Sequence, residues 1–193
     1  MAAKVFISYR RDDSRYQADK IYKAFSQVVP RDHLFMDIDS IPLGANSRKI
    51  LKDWVDQCEV LLALIGPGWT KAQDPKTKRR RLDIPSDLVR IEIGEALARN
   101  IQVVPVLLDG TPMPDIAVLP DDLKGLVDRQ AEFVEFHTFG ADVERLIKKL
   151  NLRPDIGRAA ETKPAPAKSF FDSLEEEITN LFRWVSGKSS GSG

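Results

Sequence analysis

One carboxylate in this chain stands apart by its spacing. In the run Asp87-Leu88-Val89-Arg90-Ile91-Glu92-Ile93-Gly94-Glu95-Ala96-Leu97-Ala98, the apolar residues Val89, Ile93, Ala96 and Leu97 recur as one face of a helix. Glu92 falls at the edge of that stripe, about 60° from Val89 at roughly 100° per residue, which predicts a half-buried side chain. Glu95 has Arg99 four residues on, the spacing of a surface ion pair, whereas Glu92 has Ala96 at that distance and a like charge, Glu95, at three. A carboxylate drawn out of water beside another negative charge holds its proton more tightly, and groups perturbed in this way cluster where proteins do chemistry. A solvated helix glutamate satisfies the same periodicity.

The remaining reactive residue types are dispersed. Asp12 and Asp13 follow Tyr9-Arg10-Arg11 with no glycine among them, so the glycine-rich turn of a dinucleotide fingerprint or P-loop is missing after the first apolar run. A phosphoaccepting receiver domain would use that acidic pair, but the places where it needs an aspartate and a lysine hold Gly66-Pro67 and Phe136-His137. His33, His137 and Cys58 are isolated from one another and give no metal-ligand spacing. There is no Gly-x-Ser-x-Gly nucleophile elbow. The basic run Lys76, Lys78, Arg79, Arg80 and Arg81 reads first as a solvated loop and second as an attraction for an anion.

Strands and helices that alternate along the chain must position these groups. Residues 4–9 form an apolar run stopped by a polar loop, residues 9–14, and a helical pattern through Tyr16, Ile21, Ala24 and Phe25 follows. Residues 33–38 read as a second strand, 39–46 as a loop turning on Pro42 and Gly44, and Ser47 as the cap of a helix reaching about residue 57. Residues 60–65 are continuously apolar, as a buried parallel strand should be, and Gly66-Pro67-Gly68 ends the run. A long loop, 69–83, leads to the helix of Glu92, for which residues 83–86 supply capping chemistry. Residues 103–108 make strand four, with Pro105 predicting a locally unpaired position. A short helix near 121–127, a fifth strand at 131–136 and a closing helix carrying Val143, Leu146, Ile147 and Leu150 complete the pattern.

Such alternation predicts an α/β fold: a flavodoxin-like, five-stranded parallel sheet with helices on both faces, spanning residues 1–150. Ligands of these sheets sit at the carboxyl ends of the strands, by the switch between strands one and three, here the loops 9–14, 37–47 and 66–69. Residues 151–168 read as a Pro/Ala-rich linker, 169–186 as a short amphipathic helix and 187–193 as a flexible Gly/Ser tail. That ending leaves room for a missing C-terminal sensor domain.

Charge and composition narrow the class. Lys+Arg and Asp+Glu number 29 each in 193 residues, so no net field favours nucleic acid or a membrane surface. A single cysteine and an N-terminus without a long apolar core predict a reducing, cytoplasmic location. No apolar run is long enough to span a bilayer.

Four stretches carry a family resemblance. Val5-Phe6-Ile7-Ser8-Tyr9-Arg10, Phe35-Met36-Asp37 with Gly44, residues 60–68 with Trp69, and Asp87-Leu88-Val89-Arg90-Ile91-Glu92-Ile93 resemble, in order and spacing, the signature boxes of the Toll/interleukin-1 receptor (TIR) domain. Val103-Val104-Pro105-Val106 resembles a further one. The variant most similar is the bacterial type and the NAD-cleaving animal enzyme. The resemblance implies that Glu92 is catalytic and that Tyr9, Arg10, Asp37 and Gly44 help form a nucleotide pocket. Those enzymes often carry a tryptophan four residues before the glutamate, where this chain has Leu88, a change at the surface against which nicotinamide packs. NAD is then the substrate, with no metal, and other TIR domains are partners in an activating self-association that serves bacterial immunity or virulence. A scaffold that only recruits TIR domains through the loop around Pro42 and Gly44 is the alternative. In the enzyme, Arg10 would meet a phosphate and Tyr9 or Trp69 would stack on nicotinamide or adenine, although an aromatic residue at a strand end is as often core.

Overall fold

The computed structural model describes residues 3–36 and 57–152. The chain divides into two units, Met1–Asp155 and Ile156–Gly193, and every described residue lies in the first. Five parallel strands, β1 (Val5–Ser8), β2 (Leu34–Met36), β3 (Val60–Ile65), β4 (Gln102–Leu108) and β5 (Glu132–Val134), form one sheet in the order β2-β1-β3-β4-β5. This is the doubly wound, flavodoxin-like arrangement that the alternation predicts. Helices α1 (Arg11–Phe25), α2 (Leu88–Ala98) and α3 (Phe139–Lys149) accompany it. The helix expected from Ser47 and the segments expected beyond residue 152 lie outside the described residues.

Alternation along each strand sorts its side chains between two faces, because successive residues point to opposite sides of the pleat. Phe6, Leu61, Ala63, Ile65, Val103 and Leu107 join Val89, Ile93 and Ala96 of α2 in one core. Val5, Ile7, Leu62, Leu64, Val104 and Val106 join Ala18, Ile21 and Phe25 of α1 and Val143 and Leu146 of α3 in the other. β3, central and buried at every position, is apolar throughout for that reason. Each such fully buried aliphatic or aromatic side chain contributes about 1.5–3 kcal/mol.

Several boundaries differ from the sequence reading. The described part of β2 starts at Leu34 rather than His33, which belongs to a 3-10 turn, Arg31–His33. The segment near residue 121 is a 3-10 helix, Asp121–Leu126, and β5 is three residues long. Pro105 sits inside β4, in register with Ala63 of β3. The ladder to β5 begins only at Val106↔Glu132, so the missing N–H of the proline falls ahead of it. α2 starts at Leu88, and its cap is Asp87, whose side chain accepts the N–H of Arg90 at 3.1 Å.

Candidate functional site

Where β1 ends, the chain turns directly into α1. The carbonyl of Arg10 accepts the N–H groups of Asp13 (3.0 Å) and Ser14 (2.8 Å), and a kink at Ser14 (φ −137°) turns the first residues of α1 toward the end of β3. There Asp13 accepts the backbone N–H of Gly66 at 2.9 Å and of Gly68 at 2.6 Å. Burial lifts the Asp13 carboxyl above the ordinary carboxylate value, against the opposing effect of those two N–H groups and the Arg10 charge.

Between β1 and the start of α2 lies a cavity of about 200 Å³, lined by Ile7, Tyr9, Arg10, Arg11, Asp12, Arg81, Asp87, Leu88, Val89 and Glu92. It opens at the carboxyl end of β1, next to the switch between β1 and β3, where doubly wound sheets bind ligands. Glu92 is more deeply placed than its helical angle suggests: it is 5 % exposed. Nor is it isolated, because it has an interaction partner in the fold. Tyr9 lines the cavity and also packs against the α1-side core. Leu88 lines it from the first turn of α2.

Arg10 occupies a place that the sequence does not disclose. Its Nη1 and Nη2 donate to Asp87 Oδ2 and Oδ1 at 3.0 and 2.9 Å, a two-pronged pair whose side chains are 2 % and 6 % exposed. The guanidinium carbon lies 5.7 Å from the Trp69 ring centroid. Trp69 itself is 1 % exposed and belongs to the α2-side core, so it contributes packing and is not among the residues lining the cavity. Asp37 and Gly44 lie outside the described residues.

Sequence reasoning placed Arg11 and Asp12 in a crevice loop and gave Arg81 an anion-attracting role as its second reading, but passed over Asp87 and Val89 as members of this site. The Ser-Asp just ahead of the first periodic residue is a cap signal that points to Asp87, but nothing local reveals a partner 77 residues away. Of the basic run, Arg80 is engaged with Asp83 and the Val118 carbonyl. Arg81 alone among its members reaches the cavity, where it approaches Asp12 at 3.6 Å. The site therefore combines a buried acid on its wall with Arg11 and Arg81, two of the cations that line it, an arrangement suited to a ligand with both anionic and cationic parts. Among the described residues no group of three or more His, Cys, Asp or Glu side chains could hold a metal ion. No helix among them is long and apolar enough to cross a membrane.

The TIR domain family model matches residues 5–147. Comparison with curated proteins gives no match. Among solved structures, the TIR domains of the activated Roq1 resistosome, which directly recognises the pathogen effector XopQ, superpose with a TM-score of 0.51 at 14% identity, over 76% of this chain and 96% of that one. A metazoan TIR-STING receptor from C. gigas, in complex with 2',3'-cGAMP, gives 0.45 at 17% identity over 74% of this chain, which spans 38% of the receptor. At these identities the likeness is one of fold.

Proposed function

This chain belongs to the TIR domain family, and on that premise we propose that it is an NAD+ nucleosidase whose acting carboxylate is Glu92. The observation that carries the reading is the placement of Glu92, 5 % exposed, on the wall of a cavity at the end of β1 that it shares with Tyr9, Arg11, Arg81 and Leu88.

The bond to be cut joins C1′ of the ribose to N1 of a pyridinium ring. Nicotinamide departs with the bonding electron pair as a neutral molecule, so no acid need protonate it. Water adds to C1′ and releases one proton, giving nicotinamide and ADP-ribose; where a nitrogen of the adenine takes the place of water, the product is cyclic. The barrier lies in the cation that develops at C1′. A carboxylate held in a water-poor site stabilises such charge more effectively than one in bulk water, as in glycoside hydrolysis. Glu92 supplies that group and accepts hydrogen bonds from the ribose hydroxyls.

A cavity of about 200 Å³ is smaller than the roughly 300–1,000 Å³ that buries a drug-sized ligand. It takes the nicotinamide and ribose end of the dinucleotide, with Tyr9 and Leu88 as apolar walls, while Arg11 and Arg81 face the diphosphate. Asp37 adds to the pocket, and the loop at 39–47 with Gly44, contributed by a second copy, completes it. Self-association is then the activating step, in keeping with the activated resistosome to which the Roq1 TIR domains belong, and NAD consumption serves defence or virulence in a bacterial cytoplasm.

The test is release of free nicotinamide from NAD+ by the purified full chain at rising protein concentration. The reading predicts a specific activity that climbs with concentration and is lost in Glu92→Ala. No release at any concentration, or release that Glu92→Ala leaves intact, replaces the enzyme with a scaffold that only binds other TIR domains.

A further inference from the structure

Glu92 is carried on α2, and the position of α2 is fixed at its first turn by two contacts of unlike kind. Arg90 donates through Nε to Asp122 at 2.9 Å and through Nη1 to the Leu82 carbonyl at 3.0 Å, which ties the helix to the 3-10 helices Asp121–Leu126 and Arg81–Asp83. On the sheet side Asp87 does two things at once. One of its oxygens caps the helix through Arg90 N, and the two together receive the guanidinium fork of Arg10. Arg10 cannot follow a moving helix: its backbone is the last of the β1 exit and the acceptor that starts α1, and its side chain rests on a fully buried tryptophan.

We infer that Arg10 and Asp87 are positioning residues that lock the register and roll of α2 against β1, and so place the Glu92 carboxylate at the cavity wall. The inference rests on the reading of Glu92 as the acting carboxylate. It also reassigns Arg10, for which the sequence suggested a phosphate. Both terminal nitrogens are taken by Asp87, and the remaining nitrogen, Nε, is buried without a hydrogen-bond partner among the described residues. A side chain 2 % exposed is a wall and not a hand. Catalytic groups must be held to within about 0.5 Å of their working geometry by neighbours that are themselves locked. A two-pronged, desolvated pair between a strand end and a helix cap meets that requirement as a lysine or an asparagine in either place does not.

The experiment is a double-variant cycle on NAD+ turnover with Arg10→Lys, Asp87→Asn and the pair combined. It is run well below the melting transition of each variant, so that every molecule counted is folded. A positioning role predicts that each single variant lowers kcat by at least about tenfold while KM moves by less than about twofold. It also predicts that the combined variant is scarcely worse than either, since both break the same contact. A rise in KM with kcat preserved for Arg10→Lys makes Arg10 a substrate contact and overturns the inference, as do losses that multiply in the combined variant. Should Arg10→Lys fail to fold, Arg10→Gln, which keeps a single donor and removes the fork, takes its place with the same two readouts. Absence of nicotinamide release from the wild-type chain removes the reading of Glu92, whereas release with the wrong pattern removes only the role given to the pair.

Discussion

Asp13 and Gly66 approach so closely that a side chain on Gly66 would displace the carboxylate: Asp13 accepts the Gly66 N–H at 2.9 Å, and a methyl group on Gly66 would lie 2.5 Å from the same carboxylate oxygen. Gly68 stands in the same relation, with its methyl position 2.9 Å from the other oxygen. The two glycines thus let one acid on α1 hold the exit of β3. Gly66→Ala is expected to destabilise the domain by about 1–3 kcal/mol, the usual cost of overpacking, measured by urea unfolding. In an Asp13→Ala background, where the clash is gone, the same substitution is expected to cost far less.

Asp142 contributes to acid stability. Its carboxyl is held below the usual value chiefly by the Thr138 hydroxyl, with the Glu135 N–H and Arg145 adding to the effect. A folded value below the unfolded one means that the stabilisation is present above 3.8 and is lost as pH falls through the lower folded value. Asp13 has the opposite sign: its raised value means that the favourable contribution is present below 3.8 and fades as pH rises through the folded value. Melting temperature followed downward from pH 5 is therefore expected to fall less steeply in Asp142→Asn than in the wild-type chain.

The central strands were legible because burial on both faces writes itself into sequence. Val60–Ile65 is apolar at every position for the reason that both sides of β3 are covered. β5 was overextended by reading 131–136 as strand; Phe133 and Phe136 are apolar yet 52 % and 63 % exposed, so hydrophobicity there does not track burial. The candidate site was half legible. Glu92 announces itself by its angle on a helix, which is local information. The Arg10–Asp87 pair joins residues 77 apart, and the turn of Trp69 into the core depends on tertiary packing that no spacing encodes.

That placement of Trp69 makes a plain energetic claim. Trp69→Ala empties a fully buried site and removes the ring beneath Arg10, and is expected to cost about 3–5 kcal/mol, a large share of the roughly 5–15 kcal/mol by which a domain is stable. Trp69→Phe retains most of the packing and is expected to cost markedly less. Urea midpoints of the two variants check the order.

Arg81, at the cavity, is proposed to meet the diphosphate. Arg81→Glu is expected to raise KM for NAD+ by about tenfold, equivalent to roughly 1.4 kcal/mol, and to make turnover less sensitive to added salt, because a screened attraction has been removed. Steady-state kinetics at two ionic strengths decides it.

The account stands most directly on the charge of one side chain. Glu92→Gln keeps the shape of the carboxylate and abolishes its negative charge, so nicotinamide release from NAD+, followed by chromatography at matched concentrations of folded wild-type and variant protein, isolates the electrostatic role of this group. The account predicts a fall in kcat of about 10²–10³-fold with the fold intact. Release by Glu92→Gln at the wild-type rate would contradict it.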